Sequence, residues 1–134
     1  MLSAEMKCKS IEEGVYDFGD FVVEMMWGRH TIPTGIFKVI IEDKVIVYAP
    51  DNELPHDNSE NSKTFIEKFQ SFIHGADVLI HDAQYNLEEY KQREGWGHTN
   101  WEKLIELTKD SQIKQLYLTP VSYTHLTLPT TRHV

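Results

Sequence analysis

The chain has 134 residues, of which 40% are hydrophobic and 25% are charged, the composition of an ordinary globular domain. Its formal net charge of −8 gives no general attraction for a phosphate backbone, so nucleic-acid binding would need a local basic patch, and none is visible in sequence order. A single cysteine, Cys8, excludes an internal disulfide and zinc sites built from paired cysteines. The longest apolar run, 45–49, is too short to cross a bilayer, and no signal-peptide core precedes it. We therefore expect one cytoplasmic domain without a membrane partner, in which any metal ion is held by His, Asp or Glu.

The first half of the chain is predicted to be β-structure. Short runs rich in Val, Ile, Tyr and Phe are separated by turn residues, which is typical of a meander of antiparallel strands. The predicted strands are 15–18, 21–27, 35–42 and 44–49.

The second half begins with a helix and a buried strand. After a polar loop at 50–62, five apolar residues between 65 and 73 fall on one helical stripe, and Gly75 is placed to end that helix. The run 77–80 then predicts a buried strand.

Two further helices are predicted from their N-terminal capping patterns. Asn86 with Glu89 and Thr99 with Glu102 each have the spacing of a capping box. A strand at 115–119 follows the second of them. The predicted fold class is therefore α/β (α+β), a β-meander followed by α-β-α-α-β, with the helices against one face of a sheet.

The end of the sequence has an unusual pattern. Residues 121–130, VSYTHLTLPT, back-translate in one reading frame to a string that resembles a transposase adapter used in sequencing libraries. The alternative is a natural strand ended by a proline. The adapter interpretation predicts that native sequence ends at Thr119, that 120–134 is a non-native tail, and that His125 and His133 are not ligands.

Four polar residues follow strands or stand in glycine-flanked loops, namely His30, Asp51, Asp82 and His98. Such residues can converge on one site when their strands are neighbours, and imidazole with carboxylate is a ligand set for zinc, manganese or iron. Each also has a simpler interpretation. His30 could be an ordinary loop histidine, Asp51 and Asp82 could cap turns, and His98 could flank a helix N-terminus, where the helix dipole disfavours its charged form.

Three segments carry a family resemblance: VIVYAPDNE (45–53), ADVLIHDAQY (76–85) and GWGHTNW (95–101). In this order they resemble the metallo-β-lactamase-fold phosphodiesterases, nearest to the ribonuclease Z-like, cyclic-nucleotide and phosphonate-pathway branch. The resemblance implies that residues 1–119 form the later, C-terminal part of an αβ/βα sandwich. A true β-lactamase is disfavoured by the same motifs.

The resemblance also implies roles for the four residues. Asp51 would bridge two divalent metal ions, zinc or, as alternatives, manganese or iron, and His30 would hold one of them. Asp82 would orient His98, and His98 would serve the leaving group or the phosphate. A further ligand histidine is expected at position 120, where this sequence has Pro120, and the family's His-x-His-x-Asp-His motif does not occur in these 134 residues.

The implied function is metal-dependent phosphodiester hydrolysis by the whole protein, with this chain itself inactive. A small phosphodiester is preferred over RNA because the sequence contains no basic arm, and a homodimeric parent is left open. The alternative is a small metal-free α/β binding module in which the four residues are turn and capping groups. Trp96 and Trp101 are expected to pack rather than stack on a substrate, and the remaining histidines, His56, His74 and His81, are expected to be structural or solvated.

Overall fold

The computed structural model describes residues 4–119, so the predicted non-native tail and position 120 lie outside the described residues. Within them, six strands form one sheet in the order β1-β2-β3-β4-β5-β6. The first four pair antiparallel, whereas β5 pairs in parallel with both β4 and β6. The elements are β1 (Gly14–Asp17), β2 (Phe21–Trp27), β3 (Gly35–Ile41), β4 (Lys44–Ala49), α1 (Glu60–Ile73), β5 (Val78–Asp82), α2 (Leu87–Lys91), α3 (Trp101–Thr108) and β6 (Gln115–Thr119).

The predicted order of a β-meander followed by α-β-α-α-β is confirmed. The largest shift in a strand concerns β5, predicted at 77–80 and observed at Val78–Asp82. Its last two residues pair with β6, His81 with Leu118 and Asp82 with Thr119. This pairing spans more than thirty-five residues of sequence, so the local pattern of 77–80 could not show it.

Local sequence signals correctly located the C-terminal end of α1 and the N-terminal end of α2. Gly75 adopts φ +72 just after α1, a left-handed conformation that favours glycine. Asn86 accepts a hydrogen bond from the backbone N–H of Glu89 at 2.9 Å, and the Glu89 carboxylate accepts one from the Asn86 N–H at 3.0 Å. The predicted capping box of α2 is therefore present.

The predicted cap of α3 is wrong by one residue. Asn100 caps the helix, because its Oδ1 accepts a hydrogen bond from the Lys103 N–H at 2.8 Å. The hydroxyl of Thr99 instead donates to the carbonyl of Asn52 at 2.5 Å and accepts from the N–H of Leu54 at 2.9 Å. The buried Thr99 thus ties the start of α3 to the loop after β4.

The core lies between one face of the sheet and the helices α1 and α3. Met26 and Val47 contribute from the strands, and Phe69 and Leu104 contribute from the helices. Tyr48, which follows the fully buried Val47 in β4, is 45% exposed, so the strand alternates between the core and the opposite face. The molecule is a mixed α/β structure with its helices against one face, as predicted. None of the helices between residues 4 and 119 is long and apolar enough to span a membrane.

Candidate metal and acid–base site

The strand directions bring several loops to one end of the sheet. Both β2 and β4 pair antiparallel with β3, and β5 and β6 continue in parallel with β4, so these four strands end on the same side. The loop after β2 contains His30, the loop after β4 contains Asp51, and β5 ends at Asp82. His98 reaches the same place from the loop between α2 and α3.

Three of the four predicted site residues form a cluster that could hold a metal ion. One ligand atom each from His30, Asp51 and His98 lies within 4.8 Å of the others, and all three residues are partly buried. The sequence prediction grouped His98 with Asp82 rather than with the ligands. In the structure His98 lies beside His30 and Asp51 and is also hydrogen-bonded to Asp82.

His30 is oriented by a backbone carbonyl. Its Nδ1 lies 2.8 Å from the oxygen of Gly97, and since a carbonyl can only accept, Nδ1 carries the proton and Nε2 has a free lone pair that could bind a metal ion. Gly97 adopts φ +92, and a Cβ at this position would collide with the His30 ring. Position 97 therefore requires glycine for both its backbone conformation and its contact with His30.

His98 is paired with a fully buried carboxylate. Its Nδ1 donates to Oδ2 of Asp82 at 2.5 Å, and Asp82 has no exposed surface. The backbone N–H groups of Gln84, at 3.1 Å, and Asn52, at 3.4 Å, also donate to the Asp82 carboxylate. Burial raises the pKa of Asp82 to about 6 although these hydrogen bonds act in the opposite direction, so the carboxylate is mostly ionised at neutral pH. Asp82 thereby keeps the proton of His98 on Nδ1 and leaves Nε2 available at the site.

His81 supports the site from behind, as a structural residue. Its Nδ1 donates to the carbonyl of Asp82 at 2.6 Å, and its Nε2 accepts from the side chain of Asn52 at 3.0 Å. The Oδ1 of Asn52 in turn accepts from the N–H of Arg29 at 2.9 Å. Burial lowers the pKa of His81 to about 4, so its ring is neutral. This chain of hydrogen bonds connects the His30 loop to the end of β5.

Sequence reasoning missed Glu53, which organises the loop before His98. One oxygen of its carboxylate accepts hydrogen bonds from the Tyr90 hydroxyl at 2.8 Å and the Gly95 N–H at 2.7 Å. The other oxygen accepts from the Gly97 N–H at 2.9 Å. Glu53 is only 7% exposed, and burial together with its hydrogen bond raises the pKa of Tyr90. In the sequence, the only indication that Glu53 is buried is its position directly before the apolar Leu54, and that indication is weak.

A hollow of about 490 Å³ opens beside His98. Trp96 is 58% exposed there, so its predicted packing role is wrong, whereas the half-buried Trp101 packs against the core as predicted. Trp96 lies between two glycines with positive φ, +85 at Gly95 and +92 at Gly97. We call this the Trp96 hollow, and it is lined by Gln84, Tyr85, Glu89, Arg93, Trp96 and His98.

Comparison of the sequence with known proteins identifies two partial relatives. No protein-family model matches the chain. A 52-residue stretch is 38% identical to ribonuclease Z of Enterococcus faecalis, covering 39% of this chain and 17% of that protein. A 49-residue stretch is 33% identical to ribonuclease Z of Lactococcus lactis, covering 37% of this chain and 16% of that protein. The similarity thus spans a minor part of either relative.

Comparison of the structure covers most of the chain. The short form of human tRNase Z superposes with a TM-score of 0.61 at 23% identity, over 81% of this chain and 38% of that one. A diphosphatase from the PhnP family superposes with a TM-score of 0.61 at 14% identity, over 94% of this chain and 44% of that one. Zn²⁺-bound PqqB from Methylobacterium extorquens superposes with a TM-score of 0.56 at 14% identity, over 81% of this chain and 42% of that one.

This chain therefore spans less than half the length of each of these solved structures. The superpositions cover between 81% and 94% of this chain. The chain therefore has the fold of part of a metallo-β-lactamase-fold protein.

Proposed function

We propose that the whole protein to which this chain corresponds is a metal-dependent phosphodiesterase. The observation that carries this proposal is the convergence of His30, Asp51 and His98, with the buried Asp82 behind His98. A metal-free binding module gives no reason for two imidazoles and a carboxylate to converge at one end of a sheet.

The donor set fits a divalent ion. His30 presents Nε2 because its Nδ1 is bonded to Gly97, and Asp51 adds a carboxylate at the end of β4. Imidazole and carboxylate suit zinc, with manganese or iron as alternatives. Ions bound there, two in the whole protein, would act as Lewis acids toward the phosphate and lower the pKa of a bound water.

His98 is proposed as the group that transfers a proton to the leaving oxygen. Its Nδ1–H is held by Asp82, so Nε2 is the nitrogen that gains and loses a proton. When water attacks phosphorus and the bond to the leaving oxygen breaks, the proton on Nε2 would pass to that oxygen. Asp82, buried and hydrogen-bonded, would stabilise the charged imidazole before the transfer.

For the 134-residue chain itself we propose weak metal binding and no turnover. With His98 assigned to proton transfer, the cluster leaves two metal donors, His30 and Asp51, whereas a tightly held zinc ion usually has about four ligands and a two-metal site needs more. The further ligands of the whole protein are proposed to lie in segments that this chain does not span.

Zinc titration by calorimetry tests the metal site directly. We expect weak but saturable binding that His30→Ala and Asp51→Asn each abolish. His74→Ala is the matched control, because His74 is an exposed histidine at the end of α1, outside the cluster. Equal binding by wild type and His30→Ala would contradict the proposed site.

Hydrolysis is tested with bis-p-nitrophenyl phosphate. We expect no turnover by the 134-residue chain, and turnover by a longer protein that includes a His-x-His-x-Asp-His segment. Turnover by the chain alone that His30→Ala abolishes would refute the proposed inactivity. A longer protein that binds zinc but leaves every phosphodiester intact would refute the proposed reaction.

Processing of tRNA is the second candidate function. It is favoured by the sequence similarity to two bacterial ribonucleases Z. We prefer a small phosphodiester because the chain has a net charge of −8 and contains no basic arm. Cleavage of a precursor tRNA by the longer protein, at a rate far above that of bis-p-nitrophenyl phosphate, would reverse this preference.

A further inference from the structure

An exposed aromatic ring lies beside a cation at the rim of the site. The guanidinium carbon of Arg93 lies 5.7 Å from the ring centroid of Trp96 and 5.4 Å from that of Tyr85. All three side chains line the Trp96 hollow together with His98. Its volume of about 490 Å³ lies within the usual range of small-molecule sites, roughly 300–1,000 Å³. The hollow therefore combines an aromatic face, a positive charge and the proposed proton-transfer residue.

The position of Trp96 is fixed by the backbone on both sides of it. The N–H groups of Gly95 and Gly97 each donate to the buried carboxylate of Glu53. The N–H of Trp96 itself donates to the carbonyl of Arg93 at 3.0 Å. A backbone that is already ordered loses little conformational freedom when a ligand binds. Trp96 thus presents an exposed aromatic ring from an ordered stretch of backbone.

We propose that the Trp96 hollow binds an aromatic ring carried by the phosphate-ester substrate, as in a nucleotide. The ring stacks on Trp96, while the phosphate lies toward the guanidinium of Arg93 and the imidazole of His98, both of which line the hollow. This assignment rests on the proposed phosphodiesterase function and narrows its substrate class to esters with an aromatic moiety. Stacking on an aromatic side chain contributes roughly 1–3 kcal/mol per base, which corresponds to a gain in affinity of about 5- to 150-fold.

Binding of two matched probes to the full 134-residue chain tests the proposal. Adenosine 5′-monophosphate and ribose 5-phosphate carry the same sugar and phosphate, and only the first has a ring. We expect the nucleotide to bind about tenfold more tightly and to shift the indole N–H resonance of Trp96, but not that of the half-buried Trp101. Trp96→Ala should make the two affinities equal. Phe18→Ala is the control, since Phe18 is an equally exposed aromatic residue (60%) outside the lining of the hollow.

Arg93→Gln tests the phosphate end of the same site. We expect the substitution to lower the affinity for both probes by a similar factor of about three. Equal affinity of the two probes for wild type, or a preference that survives Trp96→Ala, would overturn the proposal. Unchanged binding of ribose 5-phosphate to Arg93→Gln would also overturn it. Both probes are monoesters, so a failure of the proposed phosphodiesterase activity would leave these measurements unaffected.

Discussion

Glu53→Gln removes one acceptor from the hydrogen-bond network that holds the loop before His98. The carboxylate accepts three hydrogen bonds, from the Tyr90 hydroxyl and the Gly95 N–H on one oxygen and from the Gly97 N–H on the other. Glutamine has a similar shape but only one acceptor oxygen, so in either orientation its amide NH₂ faces a backbone N–H. Tyr90 can rotate its hydroxyl, whereas the glycine N–H groups cannot change role.

One charge-assisted hydrogen bond is therefore lost in a nearly buried site, which costs roughly 1.5–3 kcal/mol. We expect urea unfolding to show a loss of about 2 kcal/mol in the free energy of unfolding. Hydrogen exchange at the Gly95 and Gly97 amides should accelerate at the same time. Glu94→Gln, at an exposed carboxylate of the same loop, is the control and should change stability by less than about 0.5 kcal/mol. A Glu53→Gln protein as stable as the control, with protected glycine amides, would refute this reasoning.

Three further changes have distinct signatures. The pKa of the buried His81 is about 4, against 6.5 in the unfolded chain, so its contribution to stability is complete above pH 6.5 and is lost as the pH falls toward 4. The free energy of unfolding of wild type minus that of His81→Gln should therefore decrease by about 3 kcal/mol between pH 6.5 and pH 4, and the subtraction removes the opposite contribution of Asp82. A difference that does not change with pH would contradict this prediction. Phe69→Ala should cost about 3–5 kcal/mol in urea unfolding because Phe69 is fully buried, whereas the exposed Phe18→Ala serves as its control. Asn86→Ala should cost about 1 kcal/mol by removing the cap of α2, and an unchanged midpoint would show that the capping box contributes nothing.

Much of the fold could be predicted because its signals are local. Short runs rich in β-branched and aromatic residues, separated by turn residues, predicted the first four strands, and the apolar stripe that includes Phe69 predicted α1. Gly75 and Asn86 marked helix ends because left-handed backbone and side-chain capping depend on one or two residues.

The errors came from residues with two local options. Thr99 and Asn100 are both good caps, and the choice between them depends on Asn52 and Leu54, which bond to the Thr99 hydroxyl from more than forty residues away. Trp96 was expected to pack because large apolar residues usually do. Its ring is exposed in a loop with a positive-φ glycine on each side, and this loop is bonded to Glu53 across more than forty residues of sequence.

The sequence by itself determined the types of elements, their order and the four polar residues worth following, because propensity, periodicity and motif spacing are properties of short segments. Only the tertiary structure decided that His30, Asp51 and His98 meet, and that Asp82 and Glu53 are buried behind them. These contacts join residues that are far apart in the chain, and they depend on which strands are neighbours and in which direction they run. A buried carboxylate such as Glu53 has no local signature, since its partners are two backbone N–H groups and a hydroxyl that come near it only once the sheet and helices have packed.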